Sequence, residues 1–225
     1  MADQPGARWH PSPNHGPRRD GLTPSLIVLH YTAMDSAEAA LARLCDPQAE
    51  VSAHYLIGGD GTLWQLVQEN ARAWHAGAGE WHGKADINSR SIGIELDNTG
   101  NHPFSEPQME RLEVLLAGII ARWGIAPEGV IGHSCMAPGR KSDPGPRFDW
   151  RRLERQGLAA RTATRAPVAH GDAAAFREAA RAAGFTAAAD DSSLLAAVRL
   201  RCRPWGRGPL AAADFASLNC SAQPE

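Results

Sequence analysis

The sequence predicts an α/β fold, a central mixed β-sheet flanked by helices, followed by a small helical unit. Three observations carry this. Short apolar runs that end in polar residues recur along the first two thirds of the chain: LIVLH (26–30), SIGIELDN (91–98) and VIGH (130–133). Segments of helical period lie between them, and strands alternating with helices fold as layers around one sheet. Near the end, AAAFREAARAAG, SSLLAAVRLRCRP and AAADFASLN read as three short helices.

Taken in order, residues 1–24 are rich in Pro, Gly and Arg and read as an irregular arm. LIVLH is a short buried strand. SAEAALARLCD (36–46) has helical character behind a Ser cap. SAHYLIGGDGTLWQLV (52–67) reads as two strands around an Asp60-Gly61 turn. SEPQMERLEVLLAGIIARWG (105–124) is the clearest helix. Ser105 and Gln108 stand at capping-box spacing, Met109, Leu112, Leu116, Ile119 and Trp123 recur at helical period, and Gly124 closes it. FDWRRLERQGL (148–158) is a further helix, and AARTATRAPVAHG (159–171) a linker. The expected organisation is a domain over 1–158, the linker, and a helical domain over 172–225, near the lower size limit for an independent core.

The 225 residues are 43% hydrophobic and 21% charged, with a formal net charge of −2 and a pI near 6.5. That balance argues against electrostatic capture of nucleic acid or of an anionic membrane. No apolar run approaches the roughly 18 residues of a transmembrane helix. The N-terminus lacks the apolar core, about 7–15 residues, of a secretory signal. Cysteines 45, 135, 202 and 220 are scattered with no C-x-x-C, the usage of a reducing compartment, with a Cys202–Cys220 pair as the alternative. The expected location is therefore cytoplasmic, with the periplasm as the alternative if a leader has been removed, and the expected state a monomer.

GHSCMAPGRKSDPG (132–145) places His133, Lys141 and Asp143 in a turn-rich stretch with Pro138, Gly139, Pro144 and Gly145. Such a stretch is neither regular helix nor central strand, and loops on a rigid scaffold are where chemistry collects. His30, Glu95 and His133 each end a strand, and sites in α/β sheets form at strand ends. Of the other histidines, His10, His15 and His102 read as surface residues and His54 as structural. Hydrolytic zinc sites use three protein ligands and keep one position for water. His30, His133 and Asp143 supply that set, and two neutral ligands with one anion leave the ion net positive and able to acidify water. Cys135, two residues past His133, is a rival ligand that would close the site. Glu95 is the candidate base and Lys141 the candidate oxyanion stabiliser.

IVLHYTA, SAHYLIGGDG, AWHAG, NSRSIGIELDN and GHSCMAPGRKSDPG together resemble the zinc-dependent N-acetylmuramoyl-L-alanine amidases, the fold type shared with the peptidoglycan recognition proteins. The resemblance runs from about Leu26 to Trp150, and G-H-S-x-x-A-P-G-R-K-x-D-P-G is its most specific part. It implies a central mixed sheet flanked by helices, Zn2+ held by His30, His133 and Asp143, Glu95 as the acidic catalytic residue, and Lys141 as the lysine assisting the tetrahedral intermediate. Tyr31, His75, Asn88, Ser89, Arg90 and Arg140 would line the substrate groove. The implied reaction cuts the amide between muramic acid and the first L-alanine of the stem peptide, so the partner is a muropeptide or peptidoglycan fragment.

AAVRLRCRPWGRGPLAAADFASL resembles the end of the small peptidoglycan-binding-like domain of the AmiD branch, with Phe176, Leu195, Val198, Leu200 and Trp205 as its expected core. A recycling enzyme of the AmpD branch acting on 1,6-anhydromuropeptides is the favoured reading. A periplasmic trimming enzyme of the AmiD branch, a zinc-dependent peptidase and a non-catalytic peptidoglycan-binding module are its rivals.

Overall fold

The computed structural model of the chain describes residues 2–162 and 172–218. Strands β1 (Arg8–Trp9), β2 (His15–Pro17) and β3 (Leu26–Tyr31) come first, then helix α1 (Ala37–Cys45), strands β4 (Tyr55–Ile57), β5 (Leu63–Gln65) and β6 (Ala71–Ala73), and the single turn α2 (Ile87–Arg90). Strand β7 (Ser91–Leu96), helix α3 (Glu106–Trp123), strand β8 (Val130–Gly132) and helices α4 (His133–Met136) and α5 (Trp150–Arg155) follow. Helices α6 (Ala173–Ala182), α7 (Asp191–Cys202) and α8 (Ala212–Leu218) form the C-terminal unit.

Six strands make one mixed sheet in the order β1-β5-β4-β7-β3-β8. β3 lies between β7 and β8 and runs parallel to both, β4 is parallel to β7, and the β4–β5 hairpin is antiparallel. The expected Asp60-Gly61 turn closes that hairpin; Gly61 sits at φ +82, and a Cβ there would come 2.8 Å from the Pro107 carbonyl oxygen.

Period-two alternation sorts the side chains onto two faces. Ile27, Leu29, Ile92, Ile94, Leu96, Tyr55 and Ile57 form one core with Met109, Leu112, Leu115, Leu116 and Ile119 of α3. Leu26 and Val28 belong to a second core with Ile131, Cys135 and Met136, so both faces of β3 are covered, as its unbroken apolar run requires. His30 continues the Leu26–Val28 face, and the β3–β7 register sets it opposite Glu95.

Helix α3 starts and stops where the sequence predicts. The Ser105 hydroxyl accepts from the Gln108 amide, and Gly124 at φ 64 ends the helix. Only half of the capping box forms. The Gln108 side chain donates to the carbonyls of Ile57 (2.8 Å) and Asp97 (3.1 Å), tying α3 to the ends of β4 and β7.

Three expectations need correction. The N-terminal arm is not irregular throughout: β1 pairs with β5, β2 pairs with β6, and the Arg18 guanidinium donates to the carbonyls of Glu69, Asn88, Ser89 and Ser91. His133 does not end a strand but opens α4, because Gly132 already has its extended place opposite Leu29. Of the expected helical core, Phe176 and Val198 are buried and Leu195 and Leu200 half-buried, but Trp205 is 56% exposed, with the Arg151 guanidinium 4.9 Å above its ring; Leu194 and Ala197 are buried in its place.

The helical unit shares its apolar side with the sheet: Phe176, Ala180, Phe185, Leu194, Val198 and Leu218 pack in the same cluster as Val28, Trp81, Ile131 and Met136. Arg201 of α7 crosses between the layers. It is buried, donates to Glu154 (2.8 Å) and the Ala160 carbonyl (2.7 Å), and lies 4.3 Å over the Trp150 ring. A buried guanidinium needs such partners. Most of the expected linker (163–171), the last residue of the third helical segment and Cys220 lie outside the described residues.

Candidate active site

A cavity of about 370 Å³ opens at the carboxyl ends of β3 and β7 and is lined by His30, Tyr31, His75, Glu95, His133, Arg140, Lys141 and Asp143, among others. That size suits a small ligand or a segment of a larger one. At its floor, three donor atoms from distant parts of the chain converge. His30 Nδ1 lies 2.9 Å from His133 Nδ1 and 2.8 Å from Asp143 Oδ2, and His133 Nδ1 lies 3.0 Å from the same oxygen. All three residues are buried. Each arrives by a different route. His30 is the fifth residue of β3, His133 begins α4, and Asp143 is fixed by its own carbonyl, which accepts from the Ser134 amide at 3.0 Å.

The electrostatics of this group fit a cation. Burial, with His133 adding, pushes the His30 imidazole down to about 4, so it is neutral near pH 7. Burial alone would raise Asp143, but the hydrogen bonds with His133 and His30 hold its carboxyl well below the ordinary range. His133 Nε2 stands 2.9 Å from the Ala76 carbonyl, while its Nδ1 faces the shared Asp143 oxygen. Two imidazoles and a carboxylate aimed at one point are the ligand types of a hydrolytic zinc site, and their donor atoms all lie within 4.8 Å of one another. Cys135 is not among these donors; it packs in the second core with Val28 and Met136.

Beside this group stands Glu95. Its Oε2 is buried and is the one such side-chain atom among the described residues without a hydrogen-bond partner. Burial, reinforced by the Asp143 charge and opposed by Lys141, pushes its carboxyl well above the ordinary range. A group whose pKa is moved towards neutrality suits proton transfer. Lys141 is exposed at the cavity rim, and the Tyr31 hydroxyl lies 2.8 Å from Ser142 Oγ. Arg140 lines the rim with its Nη2 donating to the Ala76 carbonyl at 2.7 Å and to Ala78.

Three of the residues expected in the groove stand behind it instead. Asn88 is 7% exposed, and its Oδ1 accepts from the amides of His75 (3.0 Å) and Ala76 (2.8 Å). The Ser89 hydroxyl accepts from the Arg19 amide and Arg72 Nε, and Arg90 donates to the Ala85 carbonyl. None of the three lines the cavity. His75 does line it, but both ring nitrogens are engaged, Nδ1 with His30 Nε2 at 3.0 Å and Nε2 with Ser91 Oγ at 3.1 Å. The opposite wall was not foreseen. Ala40, Arg43 and Leu44 of α1 contribute to it, at the one-face spacing of a helix, and Trp74 stands next to His75. That spacing is visible in the sequence, although nothing local ties α1 to the site.

The fold and this site define a class. A family model described as N-acetylmuramoyl-L-alanine amidase matches residues 20–146. The chain belongs to the N-acetylmuramoyl-L-alanine amidase family. Among characterised relatives it is 44% identical over 151 residues to AmiD of Escherichia coli K12, a match covering 60% of this chain and 54% of AmiD. It is 37% identical over 165 residues to AmpD, the 1,6-anhydro-N-acetylmuramyl-L-alanine amidase of the same organism, covering 66% of this chain and 90% of AmpD. The aligned region thus spans about half the length of AmiD. Among solved structures, the complex of E. coli AmiD with anhydro-N-acetylmuramic acid-L-Ala-D-gamma-Glu-L-Lys superposes with a TM-score of 0.79 at 35% identity, covering 89% of this chain and 90% of that one. AmpDh3 of Pseudomonas aeruginosa in complex with an anhydromuramic pentapeptide gives 0.79 at 30% identity, covering 98% and 96%.

Proposed function

We propose that the chain is a zinc-dependent amidase that hydrolyses the amide between 1,6-anhydro-N-acetylmuramic acid and the L-alanine of a stem peptide, in cell-wall recycling. The carrying observation is the convergence of His30 Nδ1, His133 Nδ1 and Asp143 Oδ2 beside the unpartnered Glu95 carboxyl, in a chain of this family. The substrate class rests on the anhydromuropeptide complexes of AmiD and AmpDh3.

In this reading His30, His133 and Asp143 hold the ion. A zinc ion bound there supplies positive charge that polarises the scissile carbonyl and acidifies water. Glu95 takes a proton from the attacking water and returns it to the alanine nitrogen as the carbon–nitrogen bond breaks. The products are the free lactyl carboxylate and a peptide with a free N-terminal L-alanine. Lys141 offsets the negative charge that develops on the carbonyl oxygen. Tyr31 and Arg140 shape the rim that the stem peptide crosses.

We place the reaction in the cytoplasm on the scattered, C-x-x-C-free cysteines, and take the protein to act as a monomer. The helical unit favours a second reading, trimming of intact peptidoglycan as in the AmiD branch. AmiD covers 89% of this chain in superposition, whereas the AmpD crystal structure covers 71%. In that case 172–218 is a peptidoglycan-binding domain. Incubation with anhydromuropeptides and, separately, with intact sacculi, followed by mass analysis, decides. Release of L-alanine-terminated peptide from anhydromuropeptides in preference to sacculi supports the recycling reading. Cleavage inside the peptide would make it a peptidase, and retention without cleavage a binding module.

A further inference from the structure

Two open spaces lie end to end beside the active-site cavity, one of about 360 Å³ and one of about 430 Å³, both with α7 as a wall. The first shares Arg140, Lys141 and Ser142 with the cavity that holds Glu95, and the two share Ser192, Ala196 and Leu200, so they form one groove leading away from the site. We infer that this groove receives the stem peptide beyond its second residue, with the free glutamyl carboxylate facing Arg140 at the near end and the carboxylates further along reaching Arg207 at the far end. The inference rests on the amidase reading above and gives the helical unit a part in selecting substrates by peptide length.

Close packing builds the groove. Met136 of α4 and Ala197 and Val198 of α7 share one core, which presses α7 against the 133–145 loop. A Cβ on Gly139, at φ +74, would stand 2.7 Å from Ser193 Oγ, so glycine permits the approach. On the open side Ser192 and Ala196 are exposed and Leu200 half-buried, at i, i+4 and i+8 along one flank of the helix. That flank is about 12 Å long, the reach of about three to four residues of extended peptide.

Charge selects the occupant. Among the described residues no carboxylate lines either space, whereas Arg140, Lys141, Arg199 and Arg207 do. Asp190, at the start of α7, turns its oxygens onto the Ser192 and Ser193 hydroxyls. Arg199 is spent on Asp214 at 2.8 Å. Arg207 is exposed and donates only to the carbonyls of Pro204 (2.9 Å) and Gly206 (2.8 Å), which hold the group in place and leave its charge unbalanced. The scissile amide has sugar on one side and peptide on the other, so the two leave the metal centre by different exits. The exit towards α1 is lined by Met34, Ala40, Leu44, Val51 and Trp74, with Arg43 its one charged group. A 1,6-anhydro sugar joined through its lactyl group carries no charge and suits that wall. The peptide does carry charge. In the ligand of the AmiD complex the glutamyl residue is linked through its γ-carboxyl, which frees its α-carboxylate, and the last residue adds another. Each exposed pair with a guanidinium contributes up to about fivefold in binding.

Two substrates test it on the zinc-loaded full-length protein. One is 1,6-anhydro-N-acetylmuramoyl-L-Ala-D-γ-Glu, which ends at Arg140; the other extends this by L-Lys-D-Ala and enters the groove. The quantity read is the ratio of their kcat/KM values for peptide release. Wild type is expected to favour the longer compound by about 5–10-fold. Ala196→Trp, which fills the groove from an exposed helix position, is expected to bring the ratio to about 1, and Arg207→Glu to lower it about fivefold, both mainly through KM. A wild-type ratio below 2, or an Ala196→Trp ratio within twofold of wild type, overturns the inference. Should Ala196→Trp not fold, Arg207→Glu carries the test by the same criterion. If neither compound is cleaved, the amidase reading fails and calorimetric binding of the same two compounds judges the groove. Tighter binding of the longer compound that Ala196→Trp abolishes supports it, and equal affinities overturn it.

Discussion

Gly93 is the position at which a single methyl group should damage the site without touching any residue proposed to act on substrate. It lies in β7 two residues before Glu95, with the His75 ring directly above it. A Cβ built there would stand 2.4 Å from His75 Cγ and 2.6 Å from both Cδ2 and Nδ1, where ordinary contact begins at 3.4 Å. The ring must therefore retreat by about 1 Å, and it is not free to do so, because its nitrogens are held at 3.0 Å by His30 and 3.1 Å by Ser91. A retreat of that size takes the His30 bond to about 4 Å, beyond hydrogen-bonding range. Overpacking costs about 1–3 kcal/mol and the lost bond about 1 kcal/mol. Removing glycine from a strand interior returns about 0.5–1 kcal/mol. Gly93→Ala is thus expected to lose about 2 kcal/mol, a fall in Tm of about 4–8 °C for a chain of this size. Thermal denaturation of the metal-free protein measures the first effect and chelator competition the second, a drop in zinc affinity of about 10-fold. A variant with unchanged Tm and zinc affinity within twofold of wild type would refute the argument that the ring is locked.

Glu95→Gln is expected to retain zinc and lose turnover by about 10²–10⁴-fold, measured as release of L-alanine-terminated peptide; turnover near wild type would remove Glu95 from the reaction. Saturation with zinc at about 1,000 times its Kd is expected to stabilise the fold by about 4 kcal/mol, read as a Tm rise over the chelator-treated protein, and an unchanged Tm would speak against the His30–His133–Asp143 site. Glu69 makes the pH prediction. Its side chain is 3% exposed, and although burial alone would raise its carboxyl, the hydrogen bonds from Arg122, Tyr55 and Trp123 hold it below the ordinary value. A lowered folded-state pKa contributes stability above the unfolded value and loses it as pH falls through the folded one. The urea midpoint should therefore drop below about pH 4, and Glu69→Gln should flatten that acid limb at a cost of about 3 kcal/mol at neutral pH.

Some parts of this molecule were legible because they obey local rules. α3 was visible in full, since Ser105, the apolar period and Gly124 are all encoded within one segment. The converging His30, His133 and Asp143 were visible as a group because His30 ends an apolar run and the other two share the turn-rich GHSCMAPGRKSDPG stretch. What stayed hidden depends on distance. The arm's strands are two and three residues long, too short for a period, and exist only because β5 and β6 offer them edges. Asn88, Ser89 and Arg90 lead into β7, but nothing in their order says that their side chains bond to the backbone and to neighbouring segments rather than line the cavity. The Ala76 carbonyl is backbone, and a backbone acceptor leaves no mark in the sequence.

The strand SIGIEL shows how both kinds of information share one segment. Ile92, Ile94 and Leu96 alternate and bury against α3, the pattern of a strand with one face in the core. By that pattern Ser91, Gly93 and Glu95 should face water. They face the site instead, and each has a property the site requires. Ser91 supplies the acceptor that fixes His75, Gly93 leaves out the Cβ that would displace it, and Glu95 presents the unpartnered carboxyl oxygen. A hydroxyl, a hydrogen and a carboxyl at alternate positions look like an ordinary polar face until β3 and the His75 segment are laid over them. The His30–Glu95 register then makes β7 both a wall of the core and the floor of the site. One consequence separates the two faces. Ile94→Val removes a single methylene beneath α3 and should cost about 1 kcal/mol with zinc affinity untouched, whereas Ser91→Ala, which loses the bonds to the Ile87 carbonyl and His75, should lower both Tm and zinc affinity. If Ile94→Val lowered zinc affinity as Ser91→Ala does, the faces would not be separable and the division of labour along β7 would be wrong.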